Sequence, residues 1–247
     1  MPASPGDDQL LVWERPEPPA RQAPAPLSRP AIVAAAIAVA DADGLHAVTF
    51  RKMAAVLDVG PMRLYGYLAS KDELLDLMMD EVYGEIAADD TGPDGRDWRA
   101  VLRSQAHRMR RAALRHEWFA GLLAGRPAMG PRALTFLEES YAAFDGAAGF
   151  ADIDAVMVAV GTFTAYVIGA ISGEIAERRA ERATGMDERQ WQAASGPYMM
   201  RMLATGRYPA LARIVRDATH PGPDVTFGIG LESVLAGIGA GGDRQNR

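Results

Sequence analysis

The chain has 247 residues, 49% of them hydrophobic, and a formal net charge of −6. This is enough for a sizeable core in one or two domains. The lack of cysteine excludes disulfides and thiolate metal sites, and the acidic balance argues against a general nucleic-acid coat protein. The first residues are acidic and Pro-rich with no basic, apolar signal segment, and no apolar run reads as long enough to span a bilayer, which takes about 20 residues. A cytoplasmic protein without membrane contact is expected.

Residues 1–29 hold seven of the 16 prolines, too dense for a helix or central strand. Residues 1–27 therefore read as a disordered tail, either a solvated leader or an arm following nucleic acid through Arg15, Arg21 and Arg29. From Ser28 onward nearly everything reads helical. Ile32, Val33, Ala36, Ile37 and Ala40 make one apolar stripe, with Ser28 as its cap and Gly44 as a left-handed stop. Thr49 caps a second helix with Met53, Ala54 and Leu57 inside. Asp58-Val59-Gly60 is a turn, with Val59 pointing inward, and a third helix from Pro61 to Leu68 buries Leu64 and Leu68. Ser70-Lys71-Asp72-Glu73 is a capping box opening a long helix through Leu74, Leu75, Met78 and Val82.

Thr91-Gly92-Pro93-Asp94-Gly95 is a clear break and reads as the junction between head and body. Helices are expected beyond it at roughly 96–115, 117–124, 131–146, 152–182, 187–204 and 224–238. The run VMVAVGTFTAYVIG could pass for a strand, but it continues into polar SGEIAERRAER with no turn signal, so it reads as one long helix. The fold class is all-α. By motif, residues 28–75 form a helix-turn-helix DNA-binding head, 76–240 a larger ligand-binding and dimerisation domain, and 241–247 a flexible end.

The segment Val48–Lys71 carries the functional signal. From Thr49 to Lys71 there are four cations (Arg51, Lys52, Arg63, Lys71) against the single anion Asp58, in an otherwise acidic chain, and both lysines of the protein lie here. A small basic head on an acidic body suits binding of DNA through one face. On the third helix Pro61, Met62, Arg63, Tyr65, Gly66 and Tyr67 are expected to face outward. Arg63 can read guanine bidentately, Met62 can meet a thymine methyl, and Tyr65 and Tyr67 can reach phosphates. Thr49 and the amides of its helix, with Arg51, Lys52 and Lys71, suit the backbone, and Gly60 holds the turn. The competing reading is a packed core with solvated arginines. The order of cap, short helix, turn, short helix and capping box favours DNA contact.

That order resembles the DNA-binding domain of the TetR (tetracycline repressor) family. The resemblance rests on Gly44-Leu45, Thr49-Phe50-Arg51-Lys52-Met53-Ala54, Leu57-Asp58-Val59-Gly60, Leu64-Tyr65 and Lys71-Asp72-Glu73-Leu74-Leu75. Further on, Asp97-Trp98, Gly125-Arg126-Pro127, Ala159-Val160-Gly161-Thr162-Phe163-Thr164 and Phe227-Gly228-Ile229-Gly230-Leu231-Glu232 are similar to the tetracycline-repressor-type C-terminal domain. The resemblance implies a homodimer, one recognition helix per half of a palindromic operator, and release by a small molecule. The helix from Ser70 to Ile86 is expected to act as the transmitter. Two departures stand out: Asp58 where the family usually has glycine, and Gly66 where a bulky or basic residue usually reads the groove.

For the effector site the expected lining is Gln105, Met109, Leu122, Arg126, Tyr141, Phe163 and Tyr166, apolar walls with a few polar anchors. Positions matching the family's magnesium–tetracycline ligands are Ala87, Gln105, Leu122 and Ala170, so no metal, no cofactor and no tetracycline response are expected. The four histidines (His46, His107, His116, His220) lack zinc spacing. Gly161, Gly169 and Gly173, with Gly228, Gly230, Ala236 and Gly237, are expected to let two helices pair with those of a second copy. The alternatives are an enzyme, disfavoured because no acid–base or nucleophile constellation is visible, and a helical DNA-binding interaction protein with no small-molecule input.

Overall fold

In a computed structural model, residues 27–88, 97–123, 125 and 129–245 are described. Among them every element is helical, in the order α1 (Arg29–Asp43), a 3-10 turn (Leu45–Ala47), α2 (Phe50–Val56), α3 (Pro61–Leu64), α4 (Lys71–Ala88), α5 (Trp98–Arg115), α6 (Glu117–Leu123), α7 (Pro131–Ala142), α8 (Ile153–Thr184), α9 (Glu188–Leu203), α10 (Pro209–Asp217) and α11 (Pro223–Gln245).

Helix starts follow side-chain caps. Ser28 Oγ accepts the Ala31 N–H at 3.3 Å, and Thr49 Oγ1 the Lys52 N–H at 3.2 Å. Asp97, Asp152 and Asp187 cap α5, α8 and α9 in the same way. At α4 the box is shifted: Ser70 Oγ accepts the Glu73 N–H, but the Glu73 carboxylate reaches back to the Ala69 N–H rather than to Ser70. Gly44 has φ 83 and ψ 163, a conformation open to glycine but not the expected left-handed helical cap.

The head is a small bundle in which Ile32, Ala36, Met53, Leu64, Leu68 and Leu74 are buried, and α4 continues from it into the body. There Met78, Val82 and Ile86 pack with Leu102, Ala106, Phe119 and Phe163 in one core.

Several expectations change. The third helix ends at Leu64 instead of Leu68, and Gly66, Tyr67 and Leu68 close turns onto Arg63 and Leu64. Glycine at position 66 favours this early end. The chain after α9 holds an unanticipated helix, α10, started by Pro209. The last helix runs to Gln245, well beyond 238, because its glycine-rich end packs on the chain: Gly242 meets Phe150 and Gly149. Leu27, counted in the tail, is buried. The rest of the tail, 1–26, and the break at 91–95 lie outside the described residues.

Candidate DNA-reading surface and sensor cavity

The head presents its outer face through a tight turn. Asp58 takes φ 50, the left-handed region, and directs the chain into Gly60, the N-cap of α3. Aspartate tolerates that conformation better than most residues. Pro61, Met62, Arg63 and Tyr65 are exposed, Met62 at 80%. An unbranched apolar side chain so bare has no packing role. The Tyr65 ring stands edge-on to Phe50 at 4.7 Å, which fixes it while leaving 53% of it exposed. Arg51, Arg63 and Lys71 are exposed and make no ion pair with the described residues, whereas Lys52 meets Asp43 at 3.5 Å. Thr49, Gly60 and Gly66 lie on the same exposed surface. Tyr67 departs from expectation: its ring is half-buried against the core, and its carbonyl accepts the Arg29 Nε–H at 2.9 Å. Because α3 stops early, the chain turns Tyr67 inward.

In the body a cavity of about 340 Å³ opens between α4, α5, α6, α7 and α8. Of the expected lining, Met109, Leu122, Tyr141 and Phe163 face it. Gln105 lies one layer behind: fully buried, it donates to the Phe136 carbonyl at 3.2 Å and accepts from Ser140 Oγ at 2.8 Å, and Ser140 faces the cavity. Tyr166 does not line it. The turn of α8 carries that side chain toward α11, where its hydroxyl donates to the Phe227 carbonyl at 2.6 Å. Arg126 lies outside the described residues. Sequence reasoning missed Met79, Tyr83, Phe136, Ser140 and Ile168. The apolar ones are indistinguishable from ordinary core at helical spacing.

Helix α4 forms one wall through Met79 and Tyr83 and starts in the head at Lys71. It also holds the opposite wall. Asp80 Oδ1 accepts the N–H groups of Arg132 and Ala133 at 2.9 and 3.1 Å, capping α7 from a neighbouring helix where Gly130 has no side chain to do so. A Cβ at position 130 would sit 2.2 Å from that carboxylate oxygen, so the approach requires glycine. Arg132 pairs with Glu81 beside it. A second polar seam joins the head to the α5–α6 corner. Buried His116 sets Nδ1 2.9 Å from Asp41 and Nε2 3.1 Å from Glu85, and Trp118 Nε1 donates to Asp41 at 2.7 Å.

The outer face of α8 and α11 is apolar and exposed at Met157, Val158 and Ile229. A Cβ at Gly161, Gly169, Gly173 or Gly237 would meet nothing within 4 Å, so these positions look outward from their own chain. Gly230 does not; it lies against the Tyr166 ring. Contrary to the sequence reading, α8 and α11 are each long and apolar enough to cross a membrane by length and composition. Their glycine- and alanine-rich outer faces carry that character.

Among the described residues no cluster of His, Asp or Glu could hold a metal ion, and the cavity lining contains none of these types.

Comparison with known proteins agrees with this architecture. The family described as "Tetracyclin repressor-like, C-terminal domain" matches residues 91–241. The HTH-type transcriptional repressor DrrR1 of Streptomyces coeruleorubidus is 36% identical over 92% of this chain and 83% of its own length. The class C tetracycline repressor protein of Escherichia coli is 27% identical over 86% and 90%. Among solved structures, ActR of Streptomyces coelicolor in complex with actinorhodin superposes with a TM-score of 0.73 at 27% identity, covering 88% of this chain and 97% of that one. A chain with this head, this helical body and these relatives belongs to the tetracycline-repressor family of ligand-responsive, DNA-binding transcriptional regulators.

Proposed function

We propose that the protein is a cytoplasmic homodimeric repressor that holds a palindromic operator with one α3 per half-site and releases it when an organic molecule fills the α4–α8 cavity. The observation that carries this is α4 itself: one continuous helix begins beside the exposed cations of the head and ends as a wall of the cavity. A ligand need only bind the released arrangement more tightly, with coupling of typically 1–3 kcal/mol. The outward glycines of α8 and the apolar exposed face shared with α11 support a four-helix seam between two copies. ActR has been solved with actinorhodin and with (S)-DNPA, and the aromatic and methionine lining here supports a ligand with an apolar body.

Selection from a random duplex library, with sequencing of the bound fraction, tests the head. An enriched inverted repeat that disappears with Arg63→Ala is expected; diffuse, salt-sensitive binding alone would overturn it. Light scattering tests the seam. Gly169→Arg should yield monomers with weak operator binding, and a dimeric variant would remove α8 from the interface. Tetracycline with magnesium should leave the melting temperature unchanged.

A further inference from the structure

We propose that the Tyr83 hydroxyl is the polar reader of the cavity, so that the effector is an uncharged, flat aromatic molecule presenting a hydrogen-bond acceptor such as a ring carbonyl to α4. This rests on the cavity being the effector site.

The side chains around the cavity split into two kinds. Met79, Met109, Leu122, Leu123, Phe136, Phe163, Val167 and Ile168 offer only apolar contact. Polar groups in the lining are few, and one of them is already used: Ser140 Oγ donates to Gln105 or the Phe136 carbonyl. Tyr83 is different. Its ring is clamped between Phe119 and Phe136, with centroids 5.5 and 5.4 Å away, so the side chain is fixed before any ligand arrives. Its hydroxyl has no hydrogen-bond partner among the described residues, and burial alone pushes its pKa up to about 12. At neutral pH it is therefore a donor, held in an apolar place, lacking an acceptor.

A fixed donor that opens onto the cavity can give its hydrogen bond to a ligand acceptor without rearranging the wall. Among the described residues the lining carries no ionisable partner for a charged ligand, which disfavours one. The aromatic and methionine walls favour a flat ring system. About 340 Å³ is in the range of small-molecule sites and accommodates a few fused rings. Tyr83 sits on α4, so the bond it makes is applied directly to the helix that enters the head.

Fluorenone and fluorene test this. They are planar three-ring molecules of nearly the same shape, and only fluorenone has a carbonyl. Their dissociation constants are measured by equilibrium dialysis against the full chain, Tyr83→Phe and Tyr141→Phe. Tyr83→Phe removes only an unpartnered oxygen, so its melting temperature should equal or exceed that of the parent protein. The expected result is that Tyr83→Phe weakens fluorenone roughly three- to tenfold while leaving fluorene unchanged, the size of one neutral hydrogen bond. If both probes bind all proteins equally, or if the loss follows Tyr141→Phe instead, Tyr83 is not the reader although the cavity still binds aromatics. If neither probe binds any protein, the cavity reading falls and this inference falls with it.

Discussion

The proposed DNA-reading surface and the proposed sensor cavity are built by opposite rules. The head exposes its candidate readers: Met62, Arg63 and Tyr65 lie on or beside a one-turn helix whose position is set by residues close in sequence, Thr49, Asp58 and Leu64. The cavity turns its candidate contacts inward, and its walls come from five helices spread from Met79 to Ile168. The head can therefore change its sequence preference one exposed side chain at a time. A change in the cavity also alters the packing that ties α4 to α7. Recognition and sensing differ in how much stability each substitution puts at risk.

Substitutions can sharpen that contrast. The largest effect is expected from Arg63→Ala, about 1–3 kcal/mol of operator binding per half-site and hence twice that for a dimer, with no change in melting temperature. Fluorescence anisotropy on the selected operator measures the first, and calorimetry the second. A variant that melts lower would place Arg63 in the fold instead. Asp80→Ala should do the reverse. Removing the acceptor of two N–H groups at the start of α7, one of them buried, should cost about 2 kcal/mol of folding stability by urea titration. Operator affinity without effector should be kept, since Asp80 and its partners lie in the body, away from the exposed face of the head. Asp58→Gly should raise stability by about 0.5–1 kcal/mol, because φ 50 is a strained value for a residue with a Cβ. The smallest effect concerns His107. Burial, together with the charges of Arg110, Arg111 and Arg103, holds its imidazole below the usual histidine range. The unfolded chain thus binds the proton more readily, and stability should fall slightly as pH drops through the ordinary histidine range. The same melts with His107→Gln should lack that slope.

The head was legible because its determinants are local. Ser28, Thr49, the Asp58 turn and Pro61 declare their roles within four residues. Two of the misreadings there, the overlong third helix and the outward Tyr67, follow from Gly66, whose weak helix propensity let α3 end early. The body was legible as helices and poorly as a site. Gln105 was a sound choice by type, but it supports Ser140 from behind rather than meeting a ligand. Tyr166 was chosen by ring chemistry, and its hydroxyl is spent on Phe227. Tyr83 and Asp80 carried no local signal, because what marks them out is an absent acceptor and a pair of amides some 50 residues away. Facts of that kind exist only once the chain is folded.

Only two lysines occur in the whole protein, Lys52 and Lys71, and both are exposed on the head. An amine-directed acylating reagent would therefore mark ε-amines on the proposed DNA-facing surface and nowhere on the body. The mass of the intact chain after a brief pulse then becomes a count of heads not covered by operator. The protein carries its own occupancy gauge, readable without a fused reporter.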